Sequence, residues 1–236
     1  MIDQDKLYLS HGGGVNSTAL MLLLMEKGEE FEAVFADHGG DYPETYEYIE
    51  MLQSKGYPIT VIKARRKGMT LYDYCVEYGI LPAIKWRWCT SHWKIKPLEK
   101  YMVGPAFDLI GIDAGEGHRA RYSERKQVIS DYPLIRWGIN REGCIEVIKR
   151  HGLPIPKKSG CWFCPFQRKS QWRELRDEYP TLWCKALYME ARCVEKQRAK
   201  GKSPYTIKMK PLAIYINEAQ GDLFDGFRQP CMCELL

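Results

Sequence analysis

Nine cysteines stand among the 236 residues, and two of them, Cys161 and Cys164, form a C-x-x-C between Gly160 and Pro165. A Gly/Pro turn of this size can aim two thiolates at one ion, so the spacing admits zinc, an iron–sulfur centre or a redox pair. The redox pair expects the motif just after an early strand at a helix amino terminus, whereas here it lies far along the chain. Cys89 sits in the aromatic, basic run KWRWCTSHWK, and Cys231 and Cys233 stand two apart beside Pro230 near the carboxyl end. A second constellation is Gly12, Gly13 and Gly14 followed by Asn16, Ser17 and Thr18. Glycines between a strand and a helix can present backbone N–H groups to a phosphate with no Cβ in the way. The run lacks the Lys of GxxxxGK and the spacing of GxGxxG, so neither common nucleotide loop applies.

The flanking segments can position such a loop. Residues 6–10 (KLYLS) are β-prone, the glycines follow at once, and ALMLLLMEKG then reads as an apolar helix. Residues 31–37 (FEAVFAD) and 59–63 are further short strands, separated by a helix over TYEYIEMLQSKG that places Tyr48, Met51 and Leu52 on one face. Strand and helix alternate twice in this stretch, which predicts βαβ units in a parallel sheet. Residues 70–93 show no simple period, and a helix begins near Lys94. The strand over 107–112 enters the turn-rich segment DAGEGHRARYSER. Helices are expected over 141–151 and through most of 171–200. The expected organisation is an α/β nucleotide-binding domain over 1–135 and a helical extension over 136–236 that carries the C-x-x-C and the tail cysteines.

With 45% hydrophobic and 28% charged residues the chain has the material for a core and too little bias for disorder. A net charge of +5 favours phosphates only mildly. No segment reaches the length of a membrane span and no signal-peptide pattern opens the chain, so a cytoplasmic protein without a membrane partner is expected. Nine cysteines, an odd number, in a reducing compartment argue against a disulfide framework. Cys75, Cys144 and Cys184 read as buried thiols in apolar surroundings.

Five segments, taken in order, resemble one family. GGVNS at 13–17 resembles the SGGxDS loop of the PP-loop ATP pyrophosphatase and adenine-nucleotide α-hydrolase superfamily, with Gly12 in place of the leading Ser and Asn16 in place of the Asp. ADHGGDYPETYEYI resembles the ADTGxExPETYEY segment of the phosphoadenosine phosphosulfate (PAPS) reductase family. WCTSHWKIKPLEKY resembles its RxCTxxxKxxPL, GIDAGEGHRAR its GxRxxES, and GCWFCPF completes the series.

The resemblance implies a Rossmann-like, HUP-type parallel sheet with helices on both faces and a Cys-containing, mainly helical C-terminal extension. It implies an adenine nucleotide, ATP or PAPS, over Gly12, Gly13, Gly14, Asn16, Ser17 and Thr18, with Asp37 at the nucleotide or at a metal such as magnesium. Lys94 and Arg119 become phosphate partners, and Asn16 joins them in the reaction. It also implies a metal held by Cys89, Cys161 and Cys164, favouring a 4Fe–4S cluster over zinc. The fourth ligand stays open among Cys144, Cys184, Cys193, Cys231 and Cys233; Cys231 is taken for that place, and Cys233 for a sulfur-handling thiol, from their tail position. The implied activity is sulfonucleotide reduction or ATP-dependent adenylation with sulfur transfer, involving a nucleic-acid acceptor, a redox or sulfur-donor protein, and a homo-oligomer. Trp86, Trp88 and Trp93 can stack bases while Arg87 and Lys94 meet phosphates, although such aromatic density also suits a core. The alternative is a non-catalytic adenine-nucleotide or nucleic-acid binding module with a structural zinc.

Overall fold

The apolar runs become strands in a computed structural model that describes residues 6–217 apart from Lys126 and Met209. β1 (Lys6–Ser10), β2 (Phe31–Asp37), β3 (Ile59–Lys63), β4 (Ala106–Ile110) and β6 (Val128–Asp131) run parallel, and β5 (Glu124–Arg125) adds an antiparallel edge to β6. The strand order is β3-β2-β1-β4-β6-β5. The chain winds outward from β1 to β3 and then returns to lay β4 on the other side of β1. At such a reversal the loops leaving two neighbouring strands diverge, and a ligand crevice opens at their carboxyl ends. Here those are the loops after β1 and β4.

Helices cover both faces, as the α/β reading expects. They are α1 (Val15–Glu26), α2 (Pro43–Ser54), α3 (Leu71–Tyr78), α4 (Trp88–Thr90), α5 (Lys96–Tyr101), α6 (Pro133–Arg136), α7 (Arg141–Arg150), α8 (Lys169–Glu178), α9 (Pro180–Ala199) and α10 (Leu212–Tyr215), with a π-helical turn (Ser91–Ile95) joining α4 to α5. α1 is buried continuously from Val15 to Leu24, which accounts for an apolar run with no polar stripe. It packs with α7 against Leu9, Ala33, Phe35 and Leu109. On the opposite face Tyr8, Val34 and Ala36 share a core with Trp162, Trp172, Trp183 and Met189, so the C-terminal helices close that side.

Local chemistry marks most helix starts. Pro43 opens α2, Thr70 and Asp73 form a capping box on α3, and Asn140 accepts the Gly143 N–H at the start of α7. The expected helix over 171–200 is two helices, because Pro180 restricts Tyr179 and breaks the hydrogen-bond ladder there. The aperiodic segment 70–93 holds α3 and α4, and the short β5–β6 hairpin gives no periodic signal of its own. Cys75 and Cys144 are buried as expected, but Cys184 is exposed on α9 and is not a core thiol.

Gly111, just past β4, lets the two central loops meet. A Cβ there would lie 2.8 Å from the backbone nitrogen of Ser17, an atom fixed by α1. Gly111→Ala is therefore expected to destabilise the fold by about 1–3 kcal/mol, the usual range for overpacking, read as a lowered urea midpoint. An unchanged midpoint would show that the loops can separate freely.

Candidate functional site

The glycine loop is held from within. Gly13 takes φ +71°, and a Cβ on it would meet Thr45 Cγ2 at 2.7 Å, so glycine is required on both counts. Ser17 Oγ donates to the Gly14 carbonyl and accepts from the Gly12 N–H, both at 3.2 Å. His11 Nδ1 accepts the Gly13 N–H at 3.2 Å, which leaves the ring proton on Nε2, 3.4 Å from Thr18 Oγ1. The amides of Gly12 and Gly13 and the hydroxyl of Ser17 thus hold the loop together. The start of α1 has no side-chain cap and no acidic residue in its first turn, conditions that suit a helix amino terminus to an anion.

Asn16 spans two charged partners. Its Nδ2 donates to Asp113 Oδ2 at 2.9 Å, and its Oδ1 accepts from Arg141 Nη1 at 2.9 Å. Asp113 Oδ1 in turn accepts the Gly115 N–H at 2.9 Å. An amide suits this place, because an Asp at residue 16 would set a second carboxylate against Asp113. Asp37, at the end of β2, is engaged by the Gly39 N–H (2.8 Å), the Tyr46 hydroxyl (3.1 Å) and Arg65 Nη2 (3.0 Å).

A thiol pocket lies beyond the β2 loop. Cys89, Cys161 and Cys164 line it together with His38, Arg87 and Lys94. The C-x-x-C reaches this place because residues 160–162 add a short bridge to the β2 loop: the Tyr42 N–H donates to the Gly160 carbonyl (3.2 Å) and the Trp162 N–H to the Gly40 carbonyl (3.1 Å). Cys89 and Lys94 arrive on α4 and the π-helical turn. Arg87 enters from a left-handed backbone at φ 44°, a conformation held by surrounding structure. Burial and the positive charge of Arg119 lower the pKa of Arg87, while Cys89 opposes them. Arg119 is itself nearly buried and pairs with Glu116.

His38 and Asp41 stand behind the thiols. His38 Nε2, a carboxylate oxygen of Asp41 and Cys161 Sγ lie within 4.8 Å of one another. Burial works to raise the Asp41 pKa, yet His38 and Lys94 outweigh it and bring the carboxyl down to about 2. Three thiols in one pocket suit a soft, thiolate-bound metal, and both zinc and an iron–sulfur centre accept such donors.

The structure therefore brings Gly12, Gly13, Gly14, Asn16, Ser17 and Thr18 into one loop, and Lys94, Cys89, Cys161 and Cys164 into one pocket. Cys231 and Cys233 lie outside the described residues. Of the three tryptophans, Trp93 is core, Trp88 packs against that core, and Trp86 is exposed. The sequence reading passed over His11, His38, Asp41, Arg65, Asp113 and Arg141. His38 and Asp41 stood within a quoted segment, HGGD, whose polarity could have flagged them.

Burial lowers the His11 pKa from 6.5 to about 3. Between those values the unfolded chain binds a proton that the folded one rejects, so His11 removes stability as pH falls, by up to about 1.4 kcal/mol per pH unit. Asp108 acts in the opposite sense, since burial pushes its pKa from 3.8 up to about 7 and the folded protein holds that proton. His11→Asn is expected to gain stability relative to wild type as pH falls from about 6.5 towards 4, measured as urea midpoints. Parallel curves for the two proteins would contradict a neutral, buried His11.

Comparison with known proteins joins these observations to a family. The phosphoadenosine phosphosulfate reductase domain matches residues 6–157. An uncharacterized protein of Methanocaldococcus jannaschii is 27% identical over 190 residues, covering 73% of this chain and 38% of that protein. The chain thus spans well under half the length of that relative, and 45% of a second one from the same organism. Adenosine 5'-phosphosulfate reductase 2 of Bacillus subtilis is 23% identical over 177 residues, covering 68% of this chain and 72% of the enzyme. The crystal structure of PAPS reductase from Candida auris superposes with a TM-score of 0.52 at 15% identity, over 68% of this chain and 83% of that one, which is a likeness of fold. With the domain matched over residues 6–157, well over half of the 236, the chain belongs to the phosphoadenosine phosphosulfate reductase domain family.

Proposed function

We propose that this chain is an enzyme of sulfur chemistry that binds an adenine sulfonucleotide at the glycine loop and presents its sulfur to the thiol pocket. The observation that carries this reading is that both constellations lie at the carboxyl ends of neighbouring strands: residues 11–14 follow β1, and His38, which lines the thiol pocket, follows β2 directly. The start of α1 offers uncapped backbone donors to a phosphate, and Lys94 supplies countercharge as a point charge; Arg119 would add a bidentate grip on exchanging its Glu116 partner for the phosphate.

The chemistry in this reading is thiol attack on the bound sulfonucleotide. A thiolate attacks the sulfur of the bound sulfonucleotide, the S–O bond to the phosphate breaks, and the adenosine phosphate leaves with that electron pair. The product is a thiosulfonate on the attacking cysteine. A dithiol redox protein then displaces sulfite and becomes the disulfide, which closes the two-electron balance. Cys233 is our assignment for the attacking thiol. Cys89, Cys161 and Cys164 would hold a 4Fe–4S cluster or a zinc ion. The positive field for the departing oxyanion comes from Arg87 and Lys94, which line the same pocket.

The likeness of residues 13–17 to SGGxDS supports a second reading, in which ATP is split to an adenylate and pyrophosphate and an acceptor, a nucleic acid among the candidates, is activated for sulfur. The two are separated by their products. Anaerobically purified protein given adenosine 5'-phosphosulfate or PAPS and a dithiol reductant is expected to release sulfite, and pyrophosphate from ATP would move the assignment to adenylation. Neither product, with zinc in place of iron, would mark a binding module. Ser17→Ala is expected to weaken nucleotide binding about three- to tenfold, since it removes the two hydrogen bonds through which Ser17 braces the loop. Unchanged affinity by calorimetric titration would count against the loop as the phosphate site.

A further inference from the structure

Asp108 is a carboxyl in the middle of β4 with no part in the chemistry proposed for the glycine loop and the thiol pocket. Its Oδ1 accepts the Ser10 hydroxyl at 2.7 Å. Burial pushes its pKa up to about 7, against the opposing effect of hydrogen bonding from Ser10. Asp108 nevertheless keeps accessible area, being only half-buried, because it lines a cavity of about 200 Å³ between α5 and the β4–β6 side of the sheet. A carboxyl set against apolar walls, deep enough to shift its pKa and still open to a cavity, is placed to meet a ligand.

This cavity shares no lining residue with the thiol pocket, and none with the glycine loop. Leu98 and Met102 from the α5 side and Val128 from β6 give it apolar walls, and Ser130, the register partner of Asp108 on β6, adds a hydroxyl. Among the described residues, the other ionisable groups that face it are Glu99 on α5, Arg121 and Arg125 before β6, and Tyr132 after it. These are engaged with the walls. Arg125 pairs with Glu99, which ties β5 to α5. The Tyr132 hydroxyl donates to the Arg121 carbonyl at 2.6 Å, and Arg121 Nη1 donates to the carbonyls of His118 (2.8 Å) and Ala120 (3.0 Å). On β1, Tyr8 is the register partner of Asp108, and its hydroxyl accepts the Val103 N–H at 3.2 Å.

A neutral carboxyl carries an O–H donor and an acceptor oxygen side by side. The Ser10 hydroxyl uses one lone pair of Oδ1 and marks it as the acceptor, so the proton belongs on Oδ2. A donor beside an acceptor complements the edge of a nucleobase in which a ring nitrogen stands next to an exocyclic amine, as in adenine and cytosine, and aliphatic walls suit the faces of such a ring. We infer that this cavity is a second ligand site, which takes the amine-bearing edge of a nucleobase onto Asp108 and is separate from any nucleotide at the glycine loop. The inference stands apart from the thiol chemistry, because its probe carries neither sulfur nor phosphate.

The test titrates the full-length chain with cytidine and with adenosine by calorimetry, in the presence of saturating adenosine 5'-phosphosulfate. At least one nucleoside is expected to bind, with an affinity that falls about tenfold from about pH 6 to about pH 8 as Asp108 ionises and loses its donor. Dimethylation of the exocyclic amine is expected to cost about tenfold or more. Asp108→Asn puts an amide in place of the acid, with the same donor and acceptor but no titration. It is expected to stay within about threefold of wild type near pH 6 and to lose the pH dependence, a readout that a merely structural role would not move. Asp108→Leu is expected to lose about tenfold or more while still unfolding cooperatively in urea. No binding of either nucleoside, equal wild-type affinities at the two pH values, or wild-type affinity in Asp108→Leu would overturn the proposal. Competition between the nucleoside and adenosine 5'-phosphosulfate would also overturn it, by making the cavity part of the glycine-loop site. If adenosine 5'-phosphosulfate itself fails to bind, the proposed function falls, and the cytidine titration still decides this inference.

Discussion

The architecture of the site hangs on the contact between the loops after β1 and β4. Parallel neighbours joined by outward windings in opposite directions leave a gap at their carboxyl ends, and that gap must be bridged without filling it. Asn16 does the bridging, with its amide nitrogen on Asp113 and its oxygen on Arg141, while Gly111 keeps the backbones close enough for the amide to reach. Remove the amide and a buried carboxylate faces a buried helix end with no neutral group between them. The departure from the Asp of the family pattern is thus explained by its new neighbours: here the carboxylate, Asp113, comes from the loop after β4.

The loop and the pocket are organised by different devices. Around the glycines, short-range hydrogen bonds to His11 and Ser17 brace the backbone that leads into the uncapped start of α1. Around the thiols, a long-range bridge is decisive, because the C-x-x-C has no fixed position until residues 160–162 pair with the β2 loop. That bridge rests on Trp162 and Phe163, whose burial ties the C-terminal helices to the sheet. Core packing and site assembly are therefore the same event on that face.

The parts legible in the sequence were the local ones. Strand boundaries at Lys6–Ser10, Phe31–Asp37 and Ile59–Lys63 were readable from apolar runs and turn residues, and the glycine loop from its place between a strand and a helix. β4 was read from one residue late and two residues too far, since Gly111 and Ile112 continue the apolar run after the ladder has ended. What stayed hidden depends on partners far apart: Asn16 meets Asp113 and Arg141 across 97 and 125 residues. Asp41 and His38 looked like loop polarity until Cys161, 123 residues beyond His38, was seen beside them. Cys184 misled because its helix neighbours are apolar on one side only, and it faces the other.

The central claim is that the glycine loop and the thiol pocket serve one bound molecule. It is tested most directly by mapping, on metal-free protein, the alkylation rate of each cysteine with and without adenosine 5'-phosphosulfate. The account predicts that the sulfonucleotide slows alkylation of Cys89, Cys161 and Cys164 while exposed Cys184 reacts as before. Equal rates at all four with the nucleotide bound would contradict it and separate the two constellations into unrelated sites.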